Sequence, residues 1–149
     1  MTGSLIAVAS DHAGFNLKSI LIEELHGMGY EVLDLGTKDA TTSVDYPDFA
    51  DALAETLAAG KSTKGLLICG TGIGISIAAN RHPGIRAAVC HDETSARLCR
   101  EHNDANVLVL GARLIGDVVA KDCLATFLNT EFAGDRHRRR VEKLGRAVS

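Results

Sequence analysis

The chain has 149 residues, of which 46% are hydrophobic and 23% are charged, as is typical of a soluble globular protein with a substantial core. Its formal net charge of -3 does not indicate binding to nucleic acid or to an anionic membrane. No apolar run is long enough to span a bilayer, and the opening MTGSLIAVAS lacks the pattern of a signal peptide. We therefore expect one cytoplasmic domain over residues 1–149.

The four cysteines are Cys69, Cys90, Cys99 and Cys123, and none belongs to a CxxC pair. Neither a zinc site nor a thioredoxin-type motif is indicated, and we expect no metal and no cofactor. In a reducing compartment the cysteines should be free thiols. Because cysteine is among the residue types most often buried, Cys90, Cys99 and Cys123 are expected to be small core residues.

Short apolar runs alternate with helical patterns along the whole chain. In chain order the predicted elements are strand Leu5–Ala9, helix Phe15–Met28, strand Glu31–Leu35, a helix from Pro47 to Gly60, strand Gly65–Cys69, helix Gly74–Asn80, strand Arg86–Cys90, helix Asp92–His102, strand Asn106–Leu110, helix Ile115–Asn129 and helix His137–Leu144. Continuous apolar strands are typical of a parallel sheet covered on both faces. The alternation predicts a doubly wound, Rossmann-like α/β domain with a five-stranded parallel sheet, helices on both faces and a C-terminal helix.

Four of the five predicted strands end in polar or ionisable residues. The runs are SDH at the end of the first, CGTG at the end of the third, CHD at the end of the fourth and GAR at the end of the fifth. Ligands of doubly wound folds bind outside the carboxyl ends of the strands. The sequence therefore places a candidate site at this edge, with the polar segment 36–45 as a loop beside it.

The glycine-rich run GTGIG follows the third strand. Glycines allow successive backbone N–H groups to converge on an anion, and the N-terminus of a helix would add its positive dipole. A P-loop is excluded because no Lys-Ser/Thr follows, and GxGxG is not the GxGxxG of a dinucleotide site, although Asp92 stands about 20 residues on. A tight turn without a ligand and a nucleotide-binding module remain the alternatives.

Cys69 stands directly before this glycine run. Backbone N–H groups and a helix N-terminus favour a thiolate over a thiol. Such a thiolate can act as a nucleophile or as a general base. The alternative is a small buried residue beside a tight turn.

Five of the six histidines are interpreted in three groups. Asp11 and His12 are either a helix cap with a surface histidine or a proton-transfer pair. His102, with Asn103, ends the predicted fourth helix, where histidine also complements the helix dipole. We interpret His26, His82 and His91 as mainly structural or solvated.

The C-terminal run DRHRRRVEKLGR is strongly basic. A charge run is usually a solvated face, but Arg136 and Arg140 are four residues apart and project from one side of a helix. Two neighbouring guanidinium groups suit a phosphate. A nucleic-acid patch is disfavoured because aromatic residues make up only 4% of the chain and stacking contacts would be few.

Taken together, these motifs resemble type B ribose-5-phosphate isomerase, of the ribose/galactose isomerase family. The matching segments are SDHAGF, DYPDFA, LICGTGIGISIAAN, HNDANVLVLGAR and GDRHRRRVE, spread over nearly the whole chain. The resemblance implies a metal-independent aldose–ketose isomerase of the pentose phosphate pathway. It also implies a homodimer or a dimer of dimers, with each active site built from two subunits.

The resemblance further implies a role for each matching residue. Cys69 is the base that moves a proton between C2 and C1, and His102 opens the furanose ring with help from Asp11. The remaining roles are enediolate-oxygen contacts for Gly70, Thr71, Gly72 and Gly74, a substrate contact for Asn103, phosphate binding for His12, Arg113, Arg136 and Arg140, and a wall of the sugar pocket for Tyr46.

One branch of the family has a glutamate in the glycine loop in place of the cysteine. The corresponding position here is Ile75, so the chain resembles the cysteine branch. Relatives that act on allose 6-phosphate, galactose 6-phosphate or tetrose phosphates share the same site. The sequence therefore leaves the length of the sugar open.

Overall fold

A computed structural model describes residues 4–146, and its centre is one five-stranded sheet in which every pair of neighbouring strands is parallel. The strand order is β2-β1-β3-β5-β4. The strands are β1 (Leu5–Ser10), β2 (Glu31–Asp34), β3 (Lys64–Cys69), β4 (Ala87–Val89) and β5 (Val107–Gly111). The predicted five-stranded parallel sheet is confirmed.

Six helices accompany the strands within the described residues. They are α1 (Phe15–Gly27), α2 (Tyr46–Ala58), α3 (Ile73–Asn80), α4 (Glu93–Asn103), α5 (Asp117–Asn129) and α6 (Arg136–Leu144). None of the helices in residues 4–146 is both long enough and apolar enough to cross a membrane.

The two faces of the sheet carry separate hydrophobic cores, because alternate side chains of each strand point to opposite faces. On β1, Ile6 and Val8 join a core built with α1, α4 and α5. Ala7 and Ala9 join a second core built with α2 and α3. Both faces of the strand are buried, which explains its continuous apolar sequence. Helices on both faces confirm the doubly wound prediction.

Some predicted boundaries are wrong by one or two residues. The fifth helix begins at Asp117 and not at Ile115, because Gly116 is its extended N-cap residue and the amide of Ile115 instead closes a turn on the carbonyl of Gly111. Strand β4 is shorter than predicted at both ends. The amide of Arg86 donates to the side-chain oxygen of Asn106 and not to a neighbouring strand carbonyl at this edge of the sheet.

The chain reverses its winding direction between the adjacent strands β1 and β3. Beyond Ser10 the amide of Asp11 donates to the carbonyl of Ile68 at 3.2 Å, so the segments that leave the two strands start side by side. Such a switch point forms a crevice at the carboxyl ends of the strands. It brings Asp11 next to Cys69.

The glycine loop packs directly on the end of β5, and this contact requires a glycine at position 111. A Cβ atom at Gly111 would collide with the backbone carbonyl of Thr71. We predict that Gly111→Ala lowers the free energy of unfolding by about 1–3 kcal/mol, because overpacking displaces backbone. Gly27→Ala is the control, since nothing lies within 4 Å of its added Cβ. Denaturant unfolding at fixed protein concentration should separate the variants; equal stabilities would contradict the proposed contact.

Candidate active site

Nine of the predicted site residues lie around the carboxyl ends of β1, β3 and β5, and we call them the strand-end cluster. They are Asp11, His12, Tyr46, Cys69, Gly70, Thr71, Gly72, Gly74 and Arg113. The order of the strands brings these residues together from four separate segments of the chain.

Cys69 is the last residue of β3 and is only 4% exposed. Its Sγ accepts a hydrogen bond from the amide of Gly72 at 3.1 Å. Gly72 has a φ of 80° and precedes the first residue of α3, and glycine adopts this left-handed conformation without a steric penalty. The sulfur therefore faces a backbone N–H group and lies at the N-terminal end of α3.

The rest of the loop is covered by Arg113 and Tyr46. The amide of Arg113 donates to the carbonyl of Gly70 at 2.9 Å, and a Cβ at Gly70 would lie 3.2 Å from the guanidinium. A Cβ at Gly74 would lie 2.5 Å from the Tyr46 ring. The exposed Thr71 accepts the amide of Ile73 on its Oγ1 at 3.2 Å, and its own hydroxyl hydrogen can still donate.

Asp11 and His12 are held by backbone groups on two sides. The buried carboxylate of Asp11 accepts the amide of Gly14 at 3.1 Å, in the turn that leads into α1. The imidazole Nδ1 of His12 accepts the amide of Val44 at 3.2 Å. The pair is therefore tied to the crevice and is not a freely solvated helix cap.

The other four predicted residues lie on α4 and α6, and with one additional histidine they form what we call the helix cluster. Its members are His102, Asn103, Arg136, His137 and Arg140. The rings of His102 and His137 are stacked, with centroids 4.3 Å apart and planes 14° apart. Asn103 also lines a cavity of about 400 Å³ with Arg86 and Leu144.

The two clusters lie at opposite edges of the sheet in one chain. Helix α4 runs back from the carboxyl end of β4, and Asp104, next to its last residue, forms an ion pair with Arg86 just before β4 begins. Cys69 pairs with Gly111 at the far end of β5, roughly 13 Å along the strand from its start. One copy of the chain therefore does not bring Cys69 and His102 together.

Metal-ligating side chains are scattered over the molecule. Within residues 4–146 no group of three or more His, Cys, Asp or Glu side chains could hold a metal ion. All four cysteines are free and buried; burial was expected for Cys90, Cys99 and Cys123, and Cys69 is buried as well. Sγ of Cys90 and Sγ of Cys99 are 3.8 Å apart in the core.

Residues 6–144 match the family model described as Ribose/Galactose Isomerase. The chain belongs to the ribose/galactose isomerase family. Over 139 residues it is 46% identical to ribose-5-phosphate isomerase B of Escherichia coli, covering 93% of this chain and 93% of that one. Over 140 residues it is 42% identical to D-erythrulose-4-phosphate isomerase of Pectobacterium atrosepticum, covering 94% and 92%. Ribose-5-phosphate isomerase B of Clostridium thermocellum superposes with a TM-score of 0.92 at 52% identity, covering 95% of each chain.

His137 is a residue of this isomerase that the sequence analysis did not single out as a site residue. Its position in a strongly basic run hides it, although Val141 and Leu144 follow it at helical spacing and that pattern indicates one apolar face. The structure buries His137 against His102. Burial lowers the pKa of His137, and the positive charges of Arg136, His102 and Arg140 lower it further.

This lowered pKa predicts a pH dependence of stability. The unfolded histidine takes up a proton near its ordinary pKa of 6.5, whereas the folded one resists protonation until the pH is lower. Between these two pKa values the unfolded chain binds more protons than the folded chain. The contribution of His137 to the free energy of unfolding is therefore fully present above about pH 6.5 and is lost as the pH drops towards the folded pKa. We expect His137→Phe, which has no titrating group, to flatten this part of the stability curve.

The measurement is denaturant unfolding between about pH 7.5 and 5, a range that brackets the ordinary histidine pKa. His26→Phe is the control, because His26 is an exposed residue in the last turn of α1. An unchanged slope in His137→Phe would show that His137 does not contribute to the pH dependence.

Proposed function

We propose that this isomerase interconverts ribose 5-phosphate and ribulose 5-phosphate, with Cys69 as the base. The observation that carries the proposal is the position of the Cys69 sulfur, which lies at the switch point of the sheet and accepts the amide of Gly72. Support for the substrate comes from the identity of 46% with ribose-5-phosphate isomerase B of Escherichia coli.

In the proposed reaction the Cys69 thiolate removes the proton from C2 of the open-chain aldose. Negative charge then develops on O1 as the enediolate forms. Cys69 returns the proton to C1, and the proton of the O2 hydroxyl is transferred to O1, which leaves a carbonyl at C2. No redox partner is needed, because one proton moves between adjacent carbons and a second between their oxygens.

The enediolate oxygen needs donors that are already oriented towards it, since preorganised dipoles stabilise charge without reorganisation. The family resemblance implies the amides of the Gly70–Gly74 segment, which includes Thr71, for this role. The amide of Gly72 is already bonded to the sulfur. We therefore assign Gly72 to the thiolate and expect the Gly70 and Gly74 amides and the Thr71 hydroxyl to face the substrate.

Ring opening and phosphate binding draw on both clusters. We propose that His102 of a second copy opens the furanose with Asp11 assisting, and that Asn103 of that copy contacts the sugar. The phosphate is assigned to His12 and Arg113 of one copy, and to Arg136 and Arg140 of the helix cluster.

The apolar surface beside the strand-end cluster supports this homodimer. Ile73 and Ile77 on α3 are 55% and 53% exposed, and Tyr46 is exposed beside them. Leu144, which lines the Asn103 cavity, is 64% exposed. Large exposed apolar residues next to polar ones are typical of interaction surfaces. A second copy that covers α3 with its α4–α6 region would join the two clusters.

A tetrose phosphate is the second candidate substrate, because D-erythrulose-4-phosphate isomerase of Pectobacterium atrosepticum is 42% identical. Tyr46 and loop 36–45 are the structural features expected to set the depth of the sugar pocket. A cytoplasmic location is also part of the proposal and is supported by the four free thiols, which persist in reducing compartments.

The proposal is tested by measuring kcat/KM for four-, five- and six-carbon aldose phosphates, in the wild-type enzyme and in Cys69→Ala. We expect the highest value for ribose 5-phosphate, and a loss of about 100-fold or more in kcat for Cys69→Ala, because general bases contribute roughly 10²–10⁴-fold. Cys123→Ala, which removes a buried thiol of α5 in the core on the other face of the sheet from Cys69, should retain its kcat. A higher kcat/KM for a sugar of another chain length would contradict ribose 5-phosphate as the substrate. An active Cys69→Ala would contradict Cys69 as the base.

The shared site predicts complementation between two inactive variants. Cys69→Ala and His102→Asn should each be nearly inactive alone. Purified mixed dimers should recover up to about half of the wild-type activity, because one of their two sites combines an intact Cys69 with an intact His102. Co-expression with two different affinity tags, followed by activity measurement on doubly tagged dimers, checks this. Mixed dimers without activity would place both residues in a site within one chain.

A further inference from the structure

Lys18 is a buried cation that the proposed reaction does not use. It lies on α1 and is 1% exposed. Its Nζ donates to the carboxylate of Asp34 at 2.6 Å and to the carbonyl of Thr37 at 2.8 Å, and the ring of Phe15 lies 5.3 Å away. Burying an ammonium group is costly unless it is paired, so these contacts are expected to hold their partners firmly.

The partners of Lys18 belong to the segment where the chain leaves β2. The carboxylate of Asp34 also accepts the amide of Gly36 at 3.0 Å. Gly36 and Thr37 then bond to Ser10, since the amide of Ser10 donates to Gly36 at 2.8 Å and the amide of Thr37 donates to Ser10 at 2.8 Å. Lys18 thus fixes the start of loop 36–45 against the residue that precedes Asp11 and His12.

The other end of the same loop reaches the imidazole of His12. The amide of Val44 donates to its Nδ1 at 3.2 Å. A ring nitrogen that accepts a hydrogen bond carries no proton, so the neutral ring carries its proton on Nε2. An Nε2–H group is a donor, which suits an anionic oxygen such as one of a phosphate.

We propose that Lys18 is a positioning residue that acts through loop 36–45 on His12, holding the imidazole as the Nε2–H tautomer beside the strand-end cluster. The buried ammonium fixes the start of the loop at Asp34 and Thr37, and the loop presents the Val44 amide to His12. The consequence for substrate binding rests on the proposed function, because His12 is assigned there to the phosphate. The effect on the tautomer of His12 does not depend on the proposed function.

The test replaces Lys18 by methionine, which has a similar length and no charge. The matched control is Lys121→Met, because Lys121 also has an acidic partner, Glu24, but the pair is on the surface at 3.8 Å. The direct readout is ¹⁵N NMR of the His12 ring in the whole enzyme, at a pH where the ring is neutral. We expect a single Nε2–H tautomer in the wild type and in Lys121→Met, and a mixture of tautomers in Lys18→Met.

The kinetic readout separates positioning from a general loss of structure. Weaker phosphate contacts should raise KM about five-fold or more and leave kcat within about two-fold, because an interaction made equally in the ground and transition states changes KM alone. The dissociation constant of inorganic phosphate, measured by calorimetry, should rise in parallel. A higher kcat/KM for a different sugar would contradict the proposed substrate, but it would not affect the interpretation of the tautomer measurement.

A second variant keeps the test decisive if Lys18→Met does not fold. Asp34→Asn removes the charge partner at a partly exposed position and should give the same mixture of tautomers to a smaller extent. A folded Lys18→Met with one Nε2–H tautomer and unchanged KM would overturn the proposal. If Lys18→Met does not fold, a single Nε2–H tautomer and an unchanged KM in Asp34→Asn would overturn the proposal.

Discussion

All strands of the sheet run in one direction, so each helix between two of them runs back the other way. Residues that follow a strand and residues that end such a helix therefore lie at opposite edges of the sheet. Cys69 follows this rule at the end of β3, and His102 follows it in the last turn of α4. The direction of the strands divides the predicted site between two surfaces, and it makes a second copy of the chain a requirement of the proposed reaction.

The glycine loop meets two demands at the same place. Its backbone must turn so that Gly72 can present an amide to the Cys69 sulfur, which needs a positive φ. It must also allow Arg113 and Tyr46 to pack on it, so that a Cβ would be tight against the guanidinium at Gly70 and would collide with the Tyr46 ring at Gly74. The hydrogen bond and these contacts orient the loop where charge is expected to develop, and preorganised dipoles stabilise such charge best.

Two buried ionisable side chains contact predicted site residues or the loop that reaches them. Lys18 contacts the loop that reaches His12, and His137 stacks on His102. The ammonium group of Lys18 is paired with Asp34 and Thr37, because an unpaired charge in the interior would destabilise the fold. The ring of His137 is covered by the ring of His102. Substitution of Lys18 or His137 is therefore expected to change both the stability of the fold and the geometry of the site.

The sequence by itself determined the strands, the helices and the residues at the strand ends, because apolar periodicity, glycines and caps act over short distances along the chain. It identified Cys69 and the glycine loop for the same reason. The start of α5 was misplaced because Ile115 continues the apolar pattern while Gly116 ends it. Only the tertiary structure decided the strand order and the contacts of Lys18 and His137. These depend on which faces pack together, and packing joins residues that are distant in sequence and leave no local pattern.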